Sequence, residues 1–229
     1  ICFRKGFIMK LLLVINLFLS SIAIASEVQF IKNLNSGKAQ KIVVYGTSLT
    51  AKGPWVSVLN NKLKEKYAEK ISLINSGGSG KDSNWGLANL QKKVIDHKPN
   101  AVFIEFGMND AVVRFKNSKD KIRSNISSII LKMKTSLPNC EIILMTMNPA
   151  LGIPDGHRSS RADLSSYYEI YRELAKKHNL KMIDHFQTWQ AFLSKAGVAY
   201  KDFIPDGIHP NKAGCEKVII PEMVKALGL

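Results

Sequence analysis

Five short apolar runs punctuate the chain, at residues 41–45 (KIVVY), 71–75 (ISLIN), 101–106 (AVFIEF), 141–147 (EIILMTM) and 181–184 (KMID). They are rich in Ile and Val and mostly continuous. A strand with one wet face alternates apolar and polar side chains. A continuous run needs cover on both faces, which predicts a parallel sheet between two layers of helix. Between the runs the period changes. Trp55, Leu59, Leu63 and Tyr67 recur every four residues, with Lys62, Lys64, Glu65 and Lys66 mostly on the other side. Ile122, Ile126, Ile129, Ile130, Met133 and Leu137 form a second stripe, closed by Pro138; Leu164, Tyr167, Tyr168, Tyr171, Leu174 and Ala175 form a third. Such spacing gathers apolar side chains on one face of a helix. Residues 210–227 predict a closing helix, with Pro221 as a break or kink. Strand and helix alternate throughout, and no linker, repeat or composition shift divides them. The expected fold is one α/β domain over residues 26–229, a three-layer α/β/α sandwich on a five-stranded parallel sheet.

Residues 1–25 follow another pattern. Met9-Lys10 precedes an apolar run that ends at Leu19, then Ser20, Ser21 and Ala23-Ile24-Ala25. A charged start, a short apolar core and an A-x-A site predict a secretory signal peptide, with Met9 as initiator and cleavage near Ala25. The run is short for a membrane span, and no Cys follows it to carry a lipid. A secreted or periplasmic product with no stable membrane anchor is expected.

Composition narrows the class. Of 229 residues, 45% are hydrophobic and 22% charged, which excludes a disordered chain and a collagen-like repeat. Three cysteines are too few for a disulfide scaffold, and no CxxC pair or Cys/His cluster suggests a metal site. Cys140, before a strand, and Cys215, near the start of the last helix, are expected at different ends of the sheet as free thiols. The net charge of +15 comes from lysines scattered over several helices, among them Lys62, Lys92, Lys132 and Lys176, with no interleaved aromatic platform. That pattern predicts a solvated basic surface and no nucleic-acid partner. Attraction to an acidic polysaccharide or cell surface is a milder consequence.

Ligands of open parallel sheets sit at the carboxyl ends of the strands, so the chemistry is sought there. The first run is followed by Gly46-Thr47-Ser48-Leu49-Thr50, where a tight turn would project Ser48 at the sheet edge. The second leads into Asn75-Ser76-Gly77-Gly78-Ser79-Gly80. This loop lacks GxGxxG spacing and a Walker lysine, so a nucleotide site is poorly supported. Its other use is to present a bare backbone N–H to an oxyanion. After the third run, Gly107-Met108-Asn109-Asp110 offers the Asn109 amide as a second donor. Near the end, Asp206-Gly207-Ile208-His209 can bring a carboxylate to an imidazole Nδ1, which fixes the tautomer and leaves Nε2 free as a base. Asp155-Gly156-His157 is a competing pair, but its acid and base are only two apart; His157 is assigned to substrate contact instead. His97, His178 and His185 fall in or near helix ends and are assigned structural roles.

The order of these motifs resembles the SGNH hydrolases, also called the GDSL-type esterase/lipase superfamily. The family's first block, usually GDS, stands here as Gly46-Thr47-Ser48, with Thr47 in place of the usual Asp. Its second matches Asn75 through Gly80, its third Gly107 through Asp110, and its fifth Asp206 through His209. The resemblance implies a flavodoxin-like sandwich with strand order 2-1-3-4-5 and a serine esterase that needs no metal or cofactor. It implies Ser48 as nucleophile, His209 as base, Asp206 as its orienting acid, and an oxyanion hole of the Ser48 and Gly80 N–H groups and the Asn109 amide. The GTSLT block is similar to that of secreted members acting on acylated carbohydrates. Polar and aromatic loop residues point the same way, and Asn84, Trp85, Arg114, His157 and Arg158 are the expected substrate contacts. The expected substrate is an acylated small molecule or polysaccharide, cleaved by a monomeric enzyme that prefers acetyl over octanoyl esters. A lysophospholipase or thioesterase acting on lipid esters is the alternative, and a non-catalytic binding module a more distant one.

Overall fold

The structure is a computed structural model and describes residues 28–229; the signal-peptide expectation lies outside them. Five strands form a single sheet: β1 (Gln40–Gly46), β2 (Ile71–Asn75), β3 (Ala101–Glu105), β4 (Glu141–Thr146) and β5 (Lys181–Asp184). All neighbouring pairs are parallel, in the order β2-β1-β3-β4-β5. This is the order and class implied by the sequence, and every apolar run is a strand to within a residue or so at its ends.

The continuous runs are explained by the two faces. Ile42 and Val44 of β1, Phe103 of β3 and Ile143 and Met145 of β4 point to one side. There they meet Phe30, Trp55, Leu59 and Leu63, and Trp189, Ile219 and Met223 from the later helices. Val43, Tyr45, Val102, Ile104 and Leu144 point to the other side, onto Leu90, Ile126, Ile129, Ile130, Met133 and Leu174. Residues of the central strands β1, β3 and β4 therefore leave water whichever way they face, and burial of each full-sized aliphatic chain favours folding by about 1.5–3 kcal/mol.

The three predicted stripes lie on the helices Pro54–Tyr67, Lys119–Ser136 and Leu164–His178. Three further helices carried no clear stripe: Gln29–Asn35, Ser83–Lys93 and His185–Leu193. The helix Ser83–Lys93 buries only Ser83, Gly86 and Leu90. Gly86 lies flat under Phe106, whose ring atoms come within 2.7 Å of where a Cβ would stand, so its packed face is not an apolar one. The closing segment starts at Lys212, with the Asn211 side chain accepting the Gly214 N–H. It passes through a π-helical turn at Cys215–Ile219 before Ile220–Leu227. Proline has no N–H to give to the preceding turn, and a local π turn is one way to absorb that loss without ending the helix. Cys140 and Cys215 are both free thiols.

Candidate active site

β1 ends at Gly46, and Thr47 then caps the short helix Ser48–Ala51, its hydroxyl accepting the Leu49 N–H at 3.1 Å. Ser48 occupies the first helical position, whose N–H has no acceptor inside the helix. The turn is held from beneath by Glu105, the last residue of β3. Its Oε1 accepts the Thr47 N–H at 2.7 Å and the Thr50 hydroxyl at 2.6 Å, and the Thr47 hydroxyl lies 3.0–3.1 Å from both oxygens. A Cβ at position 46 would run into that carboxylate, so glycine there is a condition of the close approach. Glu105 is 1% exposed. Burial pushes its carboxyl up to about 7, against the hydrogen bonds from Thr50 and Thr47, which pull it down. The sequence reading missed this residue. Its signal was a lone acid inside a run that buries both faces.

Asn75, at the end of β2, ties the next loop to the same turn: its amide donates to the Thr50 and Ala51 carbonyls and its Oδ1 accepts the Gly77 N–H. The loop then reaches Gly80, whose φ of +71° suits glycine and whose Cα faces open space. After β3, the helix Gly107–Asp110 holds Asn109, 4% exposed. One amide N–H of Asn109 goes to the Lys81 carbonyl at 2.9 Å, and its Oδ1 accepts from Arg161 at 3.3 Å. Asp110 is fixed by the Ser83 N–H and the Tyr171 hydroxyl. Burial raises its carboxyl to about 7 as well, against the hydrogen bonds from Ser83 and Tyr171.

The remaining pair comes from the loop before the last helix. His209 Nε2 lies 2.9 Å from Ser48 Oγ, and His209 Nδ1 lies 2.6 Å from Asp206 Oδ2. Asp206 Oδ1 accepts the N–H groups of Ile208 and His209, at 2.9 and 2.7 Å. Partial burial favours the neutral acid, but the bonds from His209 and Ile208 outweigh it and hold Asp206 below the usual carboxylate range. Gly207 has φ +77° and sits where a Cβ would strike the Leu151 carbonyl. The Asn148 amide holds the Ile208 carbonyl at 2.8 Å.

Ser48, Gly80, Asn109 and His209 all line one cleft of about 640 Å³, a volume suited to a small-molecule ligand. Arg114 lines it too. The other four expected substrate contacts do not. Trp85 is turned inward by the Asp82 cap of its helix and packs on Tyr45 and Phe106. Asn84 is spent on Asp82, Asn117 and Asn125. His157 and Arg158 are exposed on the loop before Leu164–His178, with the His157 ring accepting the Ser159 N–H. Instead the cleft is lined by the apolar Leu49, Pro54, Trp55, Ile208, Pro210 and Ile219 together with the polar Lys52, Ser79, Ser159 and Arg161. Among the described residues, no three His, Cys, Asp or Glu side chains gather as a metal site.

This geometry has parallels. An arylesterase of Vibrio mimicus is 27% identical over 201 residues, covering 84% of this chain and 92% of its own. Thioesterase 1/protease 1/lysophospholipase L1 of Escherichia coli K12 is 28% identical over 167 residues, covering 73% and 71%. Among solved structures, the acetylxylan esterase Axe2 of Geobacillus stearothermophilus superimposes with a TM-score of 0.72 at 22% identity, over 84% of this chain and 95% of that one. The GDSL-like lipase/acylhydrolase family model matches residues 43–217, so the chain belongs to that family and is a hydrolase acting on ester bonds.

Proposed function

We propose that the enzyme cleaves carboxylic esters through an acyl-enzyme on Ser48, and that its substrates join an apolar acyl chain longer than acetyl to a polar alcohol. The observation that carries the first part is the unbroken line from Ser48 Oγ through His209 to Asp206, opening into a cleft shared with Gly80 and Asn109. In the first half-reaction Ser48 Oγ attacks the ester carbonyl carbon while His209 Nε2 takes its proton. The carbonyl oxygen gains negative charge and is met by the N–H groups of Ser48 and Gly80 and by the free N–H of Asn109. Collapse breaks the bond to the alcohol oxygen, which leaves with the proton from His209. Water repeats the sequence on the acyl-enzyme and releases the acid. Asp206 holds the imidazole in the required tautomer and stabilises its charged form.

The acyl preference rests on the cleft lining. Most of the loop residues that favoured an acetylated carbohydrate stand outside the cleft, and its lining includes Leu49, Pro54, Trp55, Ile208, Pro210 and Ile219 beside polar groups such as Lys52, Ser79 and Ser159. An ester with an apolar acyl arm and a polar, hydroxylated alcohol suits such a mixed lining. The leader-like residues 9–25 support an exported enzyme.

The test is a p-nitrophenyl ester series from two to eight carbons below micelle formation, run on wild type and Ser48→Ala. Each buried CH₂ contributes up to about 0.8 kcal/mol, so kcat/KM should rise at least about tenfold from acetyl to hexanoyl. A maximum at acetyl would restore the short-acyl reading. Ser48→Ala should lower kcat by roughly 10⁴-fold or more, and a folded variant with near-wild-type turnover would remove the nucleophile assignment.

A further inference from the structure

Arg161 had no sequence signal, yet it lines the cleft and bonds the Asn109 side chain. It stands in the long connection between β4 and the helix Leu164–His178. Its Nε donates to the Met108 carbonyl at 2.7 Å, its Nη1 to the Ser159 carbonyl at 2.7 Å and its Nη2 to Asn109 Oδ1 at 3.3 Å. The fork thus ties its own loop, through Ser159, to the backbone just before Asn109 and to the Asn109 side chain. Among the described residues it makes no ion pair with a carboxylate. Burial lowers its pKa to about 10, with Tyr168 and Asp206 acting the other way and Arg114 adding to the fall. A half-buried guanidinium with no carboxylate at ion-pair distance is costly to keep, which asks for a reason beyond loop packing.

The reason lies in the amide it holds. A primary amide presents oxygen on one side and two N–H groups on the other, and a flip exchanges them. An oxyanion donor works only with the N–H side toward the cleft. With Asn109 Oδ1 facing a cation and one N–H committed to Lys81, the second N–H is the group left over. A cation on the oxygen also draws electron density from the amide and makes that N–H a stronger donor, and strengthening of this kind passes along hydrogen-bonded chains in a low-dielectric site.

Given the oxyanion role proposed above for Asn109, we infer that Arg161 is a positioning residue: it fixes and polarises the Asn109 amide so that its free N–H meets the charge developing on the substrate carbonyl oxygen. Its effect belongs to the transition state and passes through Asn109. It is therefore a matter of kcat rather than KM, and it disappears when Asn109 is absent.

The experiment is a double-mutant cycle on p-nitrophenyl butanoate hydrolysis with Asn109→Ala, Arg161→Met and the double variant, each checked for folding by circular dichroism and thermal melting. Loss of a whole oxyanion donor costs about 10²–10³ in kcat. Arg161→Met should cost about 10–100-fold in kcat with KM within about threefold, and in the Asn109→Ala background less than about threefold more. Arg161→Lys keeps the charge but not the fork and should fall between wild type and Arg161→Met; it replaces the Met variant in the cycle if that one does not fold. Equal losses in both backgrounds, or a loss carried by KM, would overturn the inference and make Arg161 a general structural or substrate-binding group. An Asn109→Ala enzyme with unchanged kcat would instead remove the oxyanion assignment itself, and Arg161's role with it.

Discussion

Glu105 and Asp206 are both carboxylates that accept backbone N–H groups of a loop carrying a reacting side chain, yet they work in opposite surroundings. Glu105 is 1% exposed and bonds only to neutral partners, the Thr47 N–H and the hydroxyls of Thr47 and Thr50. Asp206 has 56% of its side chain exposed and bonds the His209 imidazole. Burial lifts the first to about 7, while hydrogen bonds carry the second below the ordinary range despite its partial burial. The Ser48 side of the site is thus held by the core, and the His209 side is a surface turn pinned by Gly207 and Asn148. The same substitution chemistry should act on stability in one place and on turnover in the other.

The sharpest way to break that contrast is on the exposed side. His209→Ala should lower kcat by about 10⁴-fold, because nucleophile and base act as a unit. With 46% of the ring exposed, it should move the melting temperature by no more than a degree or two. A large loss of stability, read by differential scanning calorimetry, would show that the base side is core as well.

Glu105→Ala should reverse the balance. It leaves the Thr47 N–H and the Thr50 hydroxyl buried without acceptors and opens a void under Gly46. The expected cost is about 3 kcal/mol or more in urea unfolding, with kcat falling because the Ser48 turn loosens. Unchanged stability would mean that the turn holds itself.

A gentler variant sharpens the electrostatic half. The raised pKa of Glu105 means that the folded protein keeps a proton which the unfolded chain releases above its ordinary value of 4.5. The associated stability is present below about pH 4.5 and is lost as pH rises through about 7. Glu105→Gln keeps the acceptor oxygen and cannot ionise. Its melting temperature relative to wild type should therefore rise from pH 5 to pH 8, and a flat difference would mean that Glu105 is already charged in the folded state at pH 5. His185, fully buried with neither ring nitrogen bonded and pushed down to about 4 by that burial, has the opposite slope; it is common to both proteins and cancels in the comparison.

The smallest effects are expected on the loop beyond the cleft. His157→Ala and Arg158→Ala should leave kcat/KM within about twofold, as exposed substitutions away from a site usually do. A tenfold loss would bring that loop over the substrate during turnover.

The regular elements were legible because each records a local fact. The three central strands bury both faces, and a continuous apolar run is the direct sequence image of that burial. The three long helices showed an apolar stripe; the shorter Gln29–Asn35 and His185–Leu193 span too few turns to repeat one, and Ser83–Lys93 packs Gly86 under Phe106. The residues that converge on Ser48 were legible for a topological reason. In a parallel sheet all strands end on the same edge, so motifs just after β1, β2 and β3 fall together.

Side-chain direction was not legible. Asn84 and Trp85 open the helix Ser83–Lys93 after β2 and Arg114 lies in a turn after β3, but of the three only Arg114 lines the cleft. The cap at Asp82 starts a helix whose geometry turns Trp85 onto Tyr45, and no local pattern states that result. The sequence by itself determined a parallel sheet between two helix layers and the edge where Ser48, Asn109 and His209 gather, because periodicity and chain order carry that information; the strand order came through the resemblance of its motifs to a known family. Only the tertiary structure decided that Glu105 lies under the Ser48 turn, that Arg161 grips Asn109 from 52 residues away, and that Leu49, Trp55 and Ile219 come together in the cleft lining. Those contacts depend on how separate loops pack in three dimensions, and packing between distant segments leaves no periodic trace in either one.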